Sequence, residues 1–298
     1  MYEWDEAVQK MINWVEENLT QQPALLKMSR EVGYSPGYCS SQFHAVTGRT
    51  LKNYIAARRL CRAAFDVRDT DKRILDIALE YGFSSQQAFT RAFACAYGCT
   101  PAAYRRAPRP IPIAVKKEVL FPEYYEGQGE KAMNQTVLTK PGVSVEYIPP
   151  HKYIGIWDDS VQEYCDFWEK HDCDEVCGII ESMSHVMHPA CPAHTAGWYQ
   201  KDGKRGYFYG LGVKDDYDGE VPDGFEIKSF PGSYYLVFSH PPFDFMKDCG
   251  EVVNRVDELA WNFDPAQKGF MWNERDCQAY QRMLPETAGY QILRPVKK

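Results

Sequence analysis

At residues 80–93 the chain reads Glu80-Tyr81-Gly82-Phe83-Ser84-Ser85-Gln86-Gln87-Ala88-Phe89-Thr90-Arg91-Ala92-Phe93. The apolar helical pattern that precedes this stretch ends at Gly82, and glycine accepts the left-handed conformation that stops a helix. Ser84 and Gln87 then have the spacing of a capping box, which predicts that a new helix begins there. A helix, a glycine turn and a capped helix together are typical of a helix-turn-helix.

The same pattern occurs 49 residues earlier, as Glu31-Val32-Gly33-Tyr34-Ser35. Ser35 is suited to cap a helix whose first position is taken by Pro36. An apolar stripe further upstream has helical spacing; it consists of Val8, Met11, Ile12, Val15 and Leu19. No strand-like alternation occurs before residue 100. The first third of the chain is therefore predicted to be an all-α domain with two helix-turn-helix motifs.

The second helix of the later motif carries the residues that we expect to contact DNA bases. Its large apolar residues, Phe89 and Phe93, are predicted to face the core, so its polar residues lie on the opposite side. Glutamine pairs with adenine edges and arginine with guanine edges in the major groove. A solvated polar face is the alternative, but the turn, the cap and the duplication favour base contact. The candidate DNA-binding residues here are Ser85, Gln86, Gln87, Thr90 and Arg91.

The equivalent helix of the earlier motif carries smaller groups. Its candidate DNA-binding residues are Ser35, Gly37, Ser40 and Ser41. Such short side chains suit docking on phosphates more than discrimination between bases, so the second motif is expected to dominate specificity. The helical pattern between the motifs, residues 50–68, spans about 27 Å. Such a rod can hold two recognition helices about one DNA turn (roughly 34 Å) apart, so one chain is predicted to bind a non-palindromic site.

Charge and proline content divide the chain into two parts. Prolines cluster between Pro101 and Pro112, which predicts a boundary near 108–112. Residues 1–110 carry a net charge of +4 and residues 111–298 a net charge of −11. This asymmetry indicates a polyanion-binding module joined to an acidic one. We predict a DNA-binding domain at 1–108, a linker at 109–139 and a second domain at 140–298.

The second part contains its own repeat, offset by 82 residues. Residues 145–157 and 227–238 each combine two strand patterns around a proline turn. Helical stretches follow at about 159–170 and 249–262, and then two further strand patterns that end near 213 and 296. These patterns predict two units, each of β-hairpin, helix, strand and strand, in a pseudo-twofold α+β domain with a ligand cleft between its halves.

Residues 1–107 resemble the AraC/XylS family of bacterial transcription regulators, and the motif at 81–93, followed by Thr100-Pro101 and Tyr104-Arg105, resembles its MarA/Rob-like subgroup. The resemblance implies that Gln86, Gln87 and Arg91 contact bases of double-stranded promoter DNA, and that RNA polymerase is a further partner. It also implies a tryptophan and two longer polar residues in the first motif. This chain departs from that pattern at Gly37, Ser40 and Ser41.

Residues 140–298 resemble the GyrI-like small-molecule-binding domain. That resemblance implies an aromatic-lined cleft with a buried glutamate, which suits lipophilic cations by stacking, cation–π attraction and counter-charge. The candidate ligand-binding residues are Trp198, Tyr207, Tyr209, Trp272, Glu274, Tyr280 and Glu181. The alternative is that these aromatic residues belong to an ordinary core.

Four of the seven histidines, together with three cysteines, fall within residues 171–194. Imidazole and thiolate are common zinc ligands, but Pro189 and Pro192 interrupt any helix that would align them, and no compact Cys-x-x-Cys pair occurs. We expect a loop with ordinary polar packing, and neither a metal nor a cofactor. The acidic N-terminus and the absence of a long apolar run predict a cytoplasmic protein with no membrane partner and with reduced cysteines.

The leading hypothesis is a multi-domain transcription regulator, not an enzyme, whose DNA affinity responds to a small-molecule effector as in multidrug sensing. A second hypothesis makes the C-terminal domain a GyrI-like hydrolase in which Glu274 or Glu181 activates water. A third makes that domain a ligand-free appendage to a constitutive DNA-binding protein.

Overall fold

The computed structural model describes residues 2–21, 25–119, 139–201, 203–284 and 288–298. The chain forms two compact units. The first comprises residues 1–120 together with Cys173–Ser182, and the second comprises 121–172 and 183–298. Within the described ranges, none of the helices is both long and apolar enough to cross a membrane.

The described helices are α1 (Tyr2–Glu17), α2 (Leu25–Val32), α3 (Pro36–Thr47), α4 (Leu51–Asp69), α5 (Ile74–Glu80), α6 (Gln86–Tyr97), α7 (Pro101–Arg106), α8 (Tyr164–Lys170), α9 (Cys173–Ser182) and α10 (Phe245–Asn262). The two predicted helix-turn-helices are confirmed as α2–α3 and α5–α6. Gly33 and Gly82 occupy the turns with φ of 79° and 80°, in the left-handed region. The predicted apolar stripe is buried from Val8 to Val15 of α1, and Leu19, just beyond the helix, is buried as well.

The helix caps explain where α3 and α6 begin. The Ser35 hydroxyl accepts a hydrogen bond from the backbone N–H of Tyr38, and Pro36 occupies the first turn, as predicted. In the second motif the prediction was displaced by one residue. Ser85 is the N-cap, because its backbone is extended and its hydroxyl accepts from the Ala88 N–H at 3.1 Å. The Ser84–Gln87 capping box is therefore absent, and Gln87 lies in the second helical position.

Helix α4 joins two separate hydrophobic cores. Leu51 and Tyr54, near its start, belong to the core around α1–α3. Leu60, Ala64 and Val67, nearer its end, belong to the core around α5–α7. Each helix-turn-helix therefore has its own core, and one continuous helix holds the two together.

Residues 109–119, which we call the strap, run in an irregular course across both cores. Ile111 and Ile113 are buried in the core of the second motif. Val119 packs against the core of the first, and its N–H donates to Gln9 Oε1 at 2.9 Å. These residues fall in the segment predicted to be a linker, and they are a packed part of the first unit.

The second unit is built on one antiparallel sheet. Its strands are β1 (Gly142–Ile148), β2 (His151–Asp158), β3 (Thr195–Lys201), β4 (Lys204–Lys214), β5 (Glu226–Phe230), β6 (Ser233–His240), β7 (Met271–Trp272), β8 (Ala279–Leu284) and β9 (Gly289–Lys297). The strand order is β1-β6-β9-β8-β3-β4-β2-β5, with β7 beside β9. The equivalent strands of the two repeats are β1 and β5, β2 and β6, β3 and β8, and β4 and β9. If each strand is exchanged for its equivalent, the same strand order is obtained, read in the opposite direction. The predicted pseudo-twofold is thus present, and its centre lies between β3 and β8.

The predicted hairpins, however, are wrong. The two strands of each pair, β1–β2 and β5–β6, do not bond to each other; β1 pairs with β6, and β5 pairs with β2. The turns are Pro149-Pro150 and Pro231-Gly232. Proline fixes φ and lacks the N–H that a tight hairpin turn uses, so the strands diverge. The two halves of the domain therefore exchange their outer strands.

The helices of this unit cover one face of the sheet. Phe167 of α8 stacks on Tyr209 at 5.9 Å, and Trp261 of α10 packs edge-on against Trp198 at 5.1 Å. The histidine- and cysteine-rich stretch 171–194, expected to be a loop, contains the ten-residue helix α9. Its apolar residues Val176, Cys177 and Ile180 have helical spacing and are buried, which drives helix formation within the first unit.

Candidate functional site

Helix α6 has the two faces that the sequence predicted. Phe89 and Phe93 are fully buried, and their rings pack 5.6 Å apart in the core. Gln86, Gln87 and Arg91 are exposed, while Thr90 is partly buried. The first-turn glutamines and Arg91 therefore lie on the accessible side of a firmly anchored helix. The Ser85 hydroxyl is engaged by the backbone as the cap.

Helix α3 offers less reach. Gly37 and Ser41 are exposed, Ser35 caps the helix, and Ser40 is partly buried. Ser40 lines a cleft of about 410 Å³ together with Trp14, Ile55 and Arg59. Its hydroxyl thus lies beside α1 and α4. The assignment of these residues to DNA contact stays a prediction.

A buried ion pair connects α1, α4 and the strap. Arg58, only 6% exposed, donates from Nε and Nη2 to the two carboxylate oxygens of Glu16 at 2.7 Å each. Its Nη1 donates to the Ala114 carbonyl of the strap. Burial and the Glu16 carboxylate raise the pKa of Tyr54 above its ordinary range, so its hydroxyl stays protonated and donates to Glu16 at 3.2 Å.

Arg59 forms a second connection. Its Nε and Nη2 donate to the carbonyls of Leu19 and Gln21, just beyond α1, at 2.8 and 2.5 Å. Its Nη1 lies 2.8 Å from the position that a Cβ on Gly82 would occupy. One guanidinium thus touches the end of α1 and the turn of the second motif. The sequence marked Arg58 and Arg59 only as basic residues of a helix, because their roles depend on contacts 38 to 56 residues away.

Most of the predicted ligand-binding residues lie under helices or in ion pairs. Tyr207 and Tyr209 are buried beneath Phe167. The Trp198 Nε1 donates to the Gln162 carbonyl at 2.9 Å. Trp272 stacks under the Arg294 guanidinium at 3.6 Å, and Glu274 accepts from Arg294 Nε at 2.9 Å. The Glu274 charge is therefore neutralised by a neighbouring side chain.

Tyr280 lies on the opposite face of the sheet. His151 Nδ1 donates to the Pro149 carbonyl at 2.9 Å, and burial lowers the pKa of His151, so its ring is neutral. Its Nε2 is then an acceptor for the Tyr280 hydroxyl at 2.5 Å. Glu181 belongs to α9, in the first unit. The structure therefore does not bring the seven predicted residues together, and their role in ligand binding stays a prediction.

The sequence did not indicate a buried polar chain on the helix-covered face. The Tyr207 hydroxyl donates to Gln281 Oε1 at 2.8 Å, Gln281 Nε2 donates to the Tyr290 hydroxyl at 3.0 Å, and Tyr290 donates to Asp257 Oδ1 at 3.1 Å. Burial raises the pKa of Asp257 to about 6, against the opposing effect of the Tyr290 hydrogen bond. Because Tyr207 and Asp257 are far in sequence from Gln281 and Tyr290, only the fold assembles these hydrogen bonds.

Asp257 makes the stability of the second unit dependent on pH. An aspartate whose pKa is about 6 when folded, and about 4 when unfolded, binds more protons in the folded state between these values. The free energy of unfolding is therefore expected to fall as pH rises through this window. In Asp257→Asn the free energy of unfolding should no longer fall with pH in this window. Urea titrations of both proteins from pH 4 to 8 measure the free energy of unfolding at each pH. Equal pH slopes for the two proteins would contradict the assignment.

In the part of the chain that the structure describes, no three His, Cys, Asp or Glu side chains are grouped as metal ligands would be. The ten cysteines, all in described residues, form no disulfide there, and six of them are buried.

Two capped helix-turn-helices on one connecting helix define a DNA-binding regulator. A family model described as a helix-turn-helix domain matches residues 28–107. The chain is 43% identical over 243 residues to the transcriptional regulator Rob of Salmonella typhimurium, covering 78% of this chain and 77% of Rob. The chain belongs to the AraC/XylS family of transcriptional regulators, and Rob is a relative that spans both of its units.

Other relatives match about a third of the chain. The Tn10 TetD protein of Escherichia coli is 46% identical over 99 residues, which cover 33% of this chain and 72% of TetD. A solved AraC-type regulator from Chromobacterium violaceum is 25% identical with a TM-score of 0.33, covering 34% of this chain and 90% of that one.

Proposed function

We propose that this chain is a transcription regulator whose operator affinity responds to a small molecule held by the second unit. DNA binding follows from the family and from the exposed face of α6. The predicted domain boundaries at 108 and 140, the base contacts, the effector and an interaction with RNA polymerase are parts of this proposal. Rob is a transcriptional regulator, and we infer that the chain itself is not an enzyme.

The observation that supports an effector site is the face of the sheet opposite the helices. This face carries a continuous aromatic cluster that includes Tyr153, Phe208 and Tyr280 in the core, with Trp157 and Tyr199 partly buried at its margin. A cation already lies on this margin, since Lys228 Nζ is 3.9 Å from the centroid of the Trp157 ring. The accessible margin of this cluster, at Trp157 and Tyr199, offers a lipophilic ligand both stacking and cation–π attraction.

Two buried acceptors add polar contacts on this side. Among the described residues, Gln278 Oε1 and Asn273 Oδ1 are buried with no hydrogen-bond partner. Gln278 lies beside the cluster, because its Nε2 donates to the Tyr280 hydroxyl at 3.1 Å. Buried polar atoms are nearly always satisfied by protein groups or water, so Gln278 Oε1 is the acceptor that we assign to a donor group of a ligand beside this cluster. We therefore place the effector on the Tyr280 face rather than on the helix-covered face.

Thermal denaturation of the full chain with a panel of lipophilic cations, anions and neutral compounds tests the proposal. A ligand at about 100 times its Kd should stabilise the unit that binds it by about 2.7 kcal/mol. Tetraphenylphosphonium is the first cationic probe, and triphenylphosphine oxide is its neutral control. Stabilisation should be accompanied by a change in affinity for a duplex selected by the chain from a random library. A panel with no effect on either measurement would identify the second unit as a ligand-free appendage.

Two matched variants locate the site. Trp157→Leu removes a half-buried ring from the Tyr280 face, and Trp272→Leu removes a half-buried ring from the helix-covered side. We expect the stabilisation to be lost in the first variant and retained in the second. The opposite pattern would place the effector among the other predicted residues, around Trp272 and Glu274.

A further inference from the structure

Helix α9 is an element of the DNA-binding unit that is supplied by the second half of the chain. The residues on either side of it, Asp172 and Met183, belong to the second unit, whereas α9 itself packs within the first. Its buried residues are Val176, Cys177, Gly178, Ile180 and Ser182. A segment 66 residues beyond α7 thus completes the packing of the helix-turn-helix unit.

Helix α9 lies directly against the strap. A Cβ added to Gly178 would overlap the carbonyl oxygen of Ile113, so the strap backbone lies directly against the helix where it has no side chain. Four residues further on, the Ser182 hydroxyl accepts a hydrogen bond from the Ile111 N–H at 3.1 Å and donates to the Ile179 carbonyl at 2.7 Å. Two successive buried positions of the strap, Ile111 and Ile113, are therefore held by one face of α9.

Both ends of α9 are also tied to cations of the first unit. At its C-terminus, Arg68 of α4 donates from Nη1 to the Ser182 carbonyl at 2.6 Å. In its first turn, Asp174 lies 3.3 Å from Arg49 Nη2 and 3.6 Å from Lys117 Nζ. An acidic residue at the start of a helix and a cation at its end both match the helix dipole. Arg49 precedes α4, Arg68 is near the end of α4, and Lys117 is in the strap. Helix α9 therefore contacts residues at both ends of the connecting helix as well as the strap.

The strap in turn contacts the cores of both motifs. Ile111 and Ile113 fill the core beside α6, the Ala114 carbonyl accepts from Arg58, and Val119 packs on the core beside α3. The cores of α3 and α6 are therefore connected twice, once by α4 and once by the strap. The relative placement of the two helices depends on both connections. A change in the strap changes the distance between two recognition helices that must contact DNA about one turn apart.

We propose that α9 is a positioning element for operator binding: it holds the strap against α4 and so sets the separation of α3 and α6. Gly178 and Ser182 are its positioning residues. This role requires the family's DNA binding but no effector, so it stands whether or not the second unit binds a small molecule.

The test compares two duplexes bound by full-length chains. One is a duplex that the wild-type chain selects from a random library. Footprinting locates the DNA segment that α3 protects. The other duplex is the same except that this segment is randomised. Gly178→Val inserts a side chain between α9 and the strap. It is expected to lower affinity for the intact duplex by about tenfold, within the range of coupling between sites, and to leave affinity for the randomised duplex within about twofold of wild type. Gly178→Ala should give a smaller loss in the same pattern.

Controls separate positioning from loss of folding. Gly142→Val adds the same side chain to β1, where an added Cβ meets no atom within 4 Å, and it should bind both duplexes as the wild type does. Circular dichroism at the assay temperature reports the folded fraction. If Gly178→Val is not folded, Ser182→Ala decides, because it removes only the acceptor for the Ile111 N–H. A folded variant that binds both duplexes like the wild type, or that loses equal affinity for both, would overturn the proposal.

Discussion

Arg91→Ala is expected to weaken binding to the selected operator by about 1–3 kcal/mol and to relax the preference at one base pair. Arg91 is exposed, and it lies one helical turn after Gln87 on a helix anchored by two fully buried phenylalanines. A guanidinium in this position can pair bidentately with the O6 and N7 of guanine. Its loss therefore affects one base more than the others, which distinguishes it from the loss of a phosphate contact.

The measurement is a titration at fixed salt with the selected duplex and its single-base variants. Lys52→Ala, which removes an exposed cation from α4, is the control for the loss of one positive charge. It should leave the order of preference among the duplexes unchanged. If Arg91→Ala lowers affinity for every duplex by the same factor, Arg91 contacts the phosphate backbone and α6 does not discriminate bases through it.

The helix-turn-helix pattern was predictable because its signals are local. A glycine with positive φ and a serine cap act on residues a few positions away. The helix end at Gly82 and the helix start at Ser35 can therefore be predicted from the neighbouring sequence alone. The one error, a cap at Ser84 in place of Ser85, arose because two adjacent serines can both cap a helix. The hydroxyl of the second reaches the Ala88 N–H, and the helix starts after it.

The sheet was predictable in its elements and not in its pairing. The offset of 82 residues located the repeated strands, but the pairing of β1 with β6 is a contact between repeats. The aromatic residues show a related limit. Alternation along β4 places Tyr207 and Tyr209 on one side, yet only the pairing of β3 with β8 shows that Tyr280 lies on the other. The seven candidates were chosen by residue type and not by face.

The buried ion pair of Arg58 with Glu16 leads to the largest expected effect on stability. Arg58→Met leaves the partly buried Glu16 carboxylate without its counter-charge and with the Tyr54 hydroxyl as a donor, and breaking a buried pair costs up to about 3–5 kcal/mol. It also removes the donor to the Ala114 carbonyl, so the strap loses a contact between the two cores. Hydrogen exchange of the α4 amides in the full chain measures this cost for the first unit alone.

A second substitution distinguishes loss of the pair from loss of packing. Glu16→Leu combined with Arg58→Met replaces both charges with apolar groups, and the double variant should regain most of the lost free energy of unfolding. Arg73→Met is the control, because Arg73 is 79% exposed in its pair with Asp76 and its loss should have little effect. If the double variant is as unstable as Arg58→Met, the guanidinium acts through the strap carbonyl. The strap, and not the ion pair with α1, is then the main link between the two motifs.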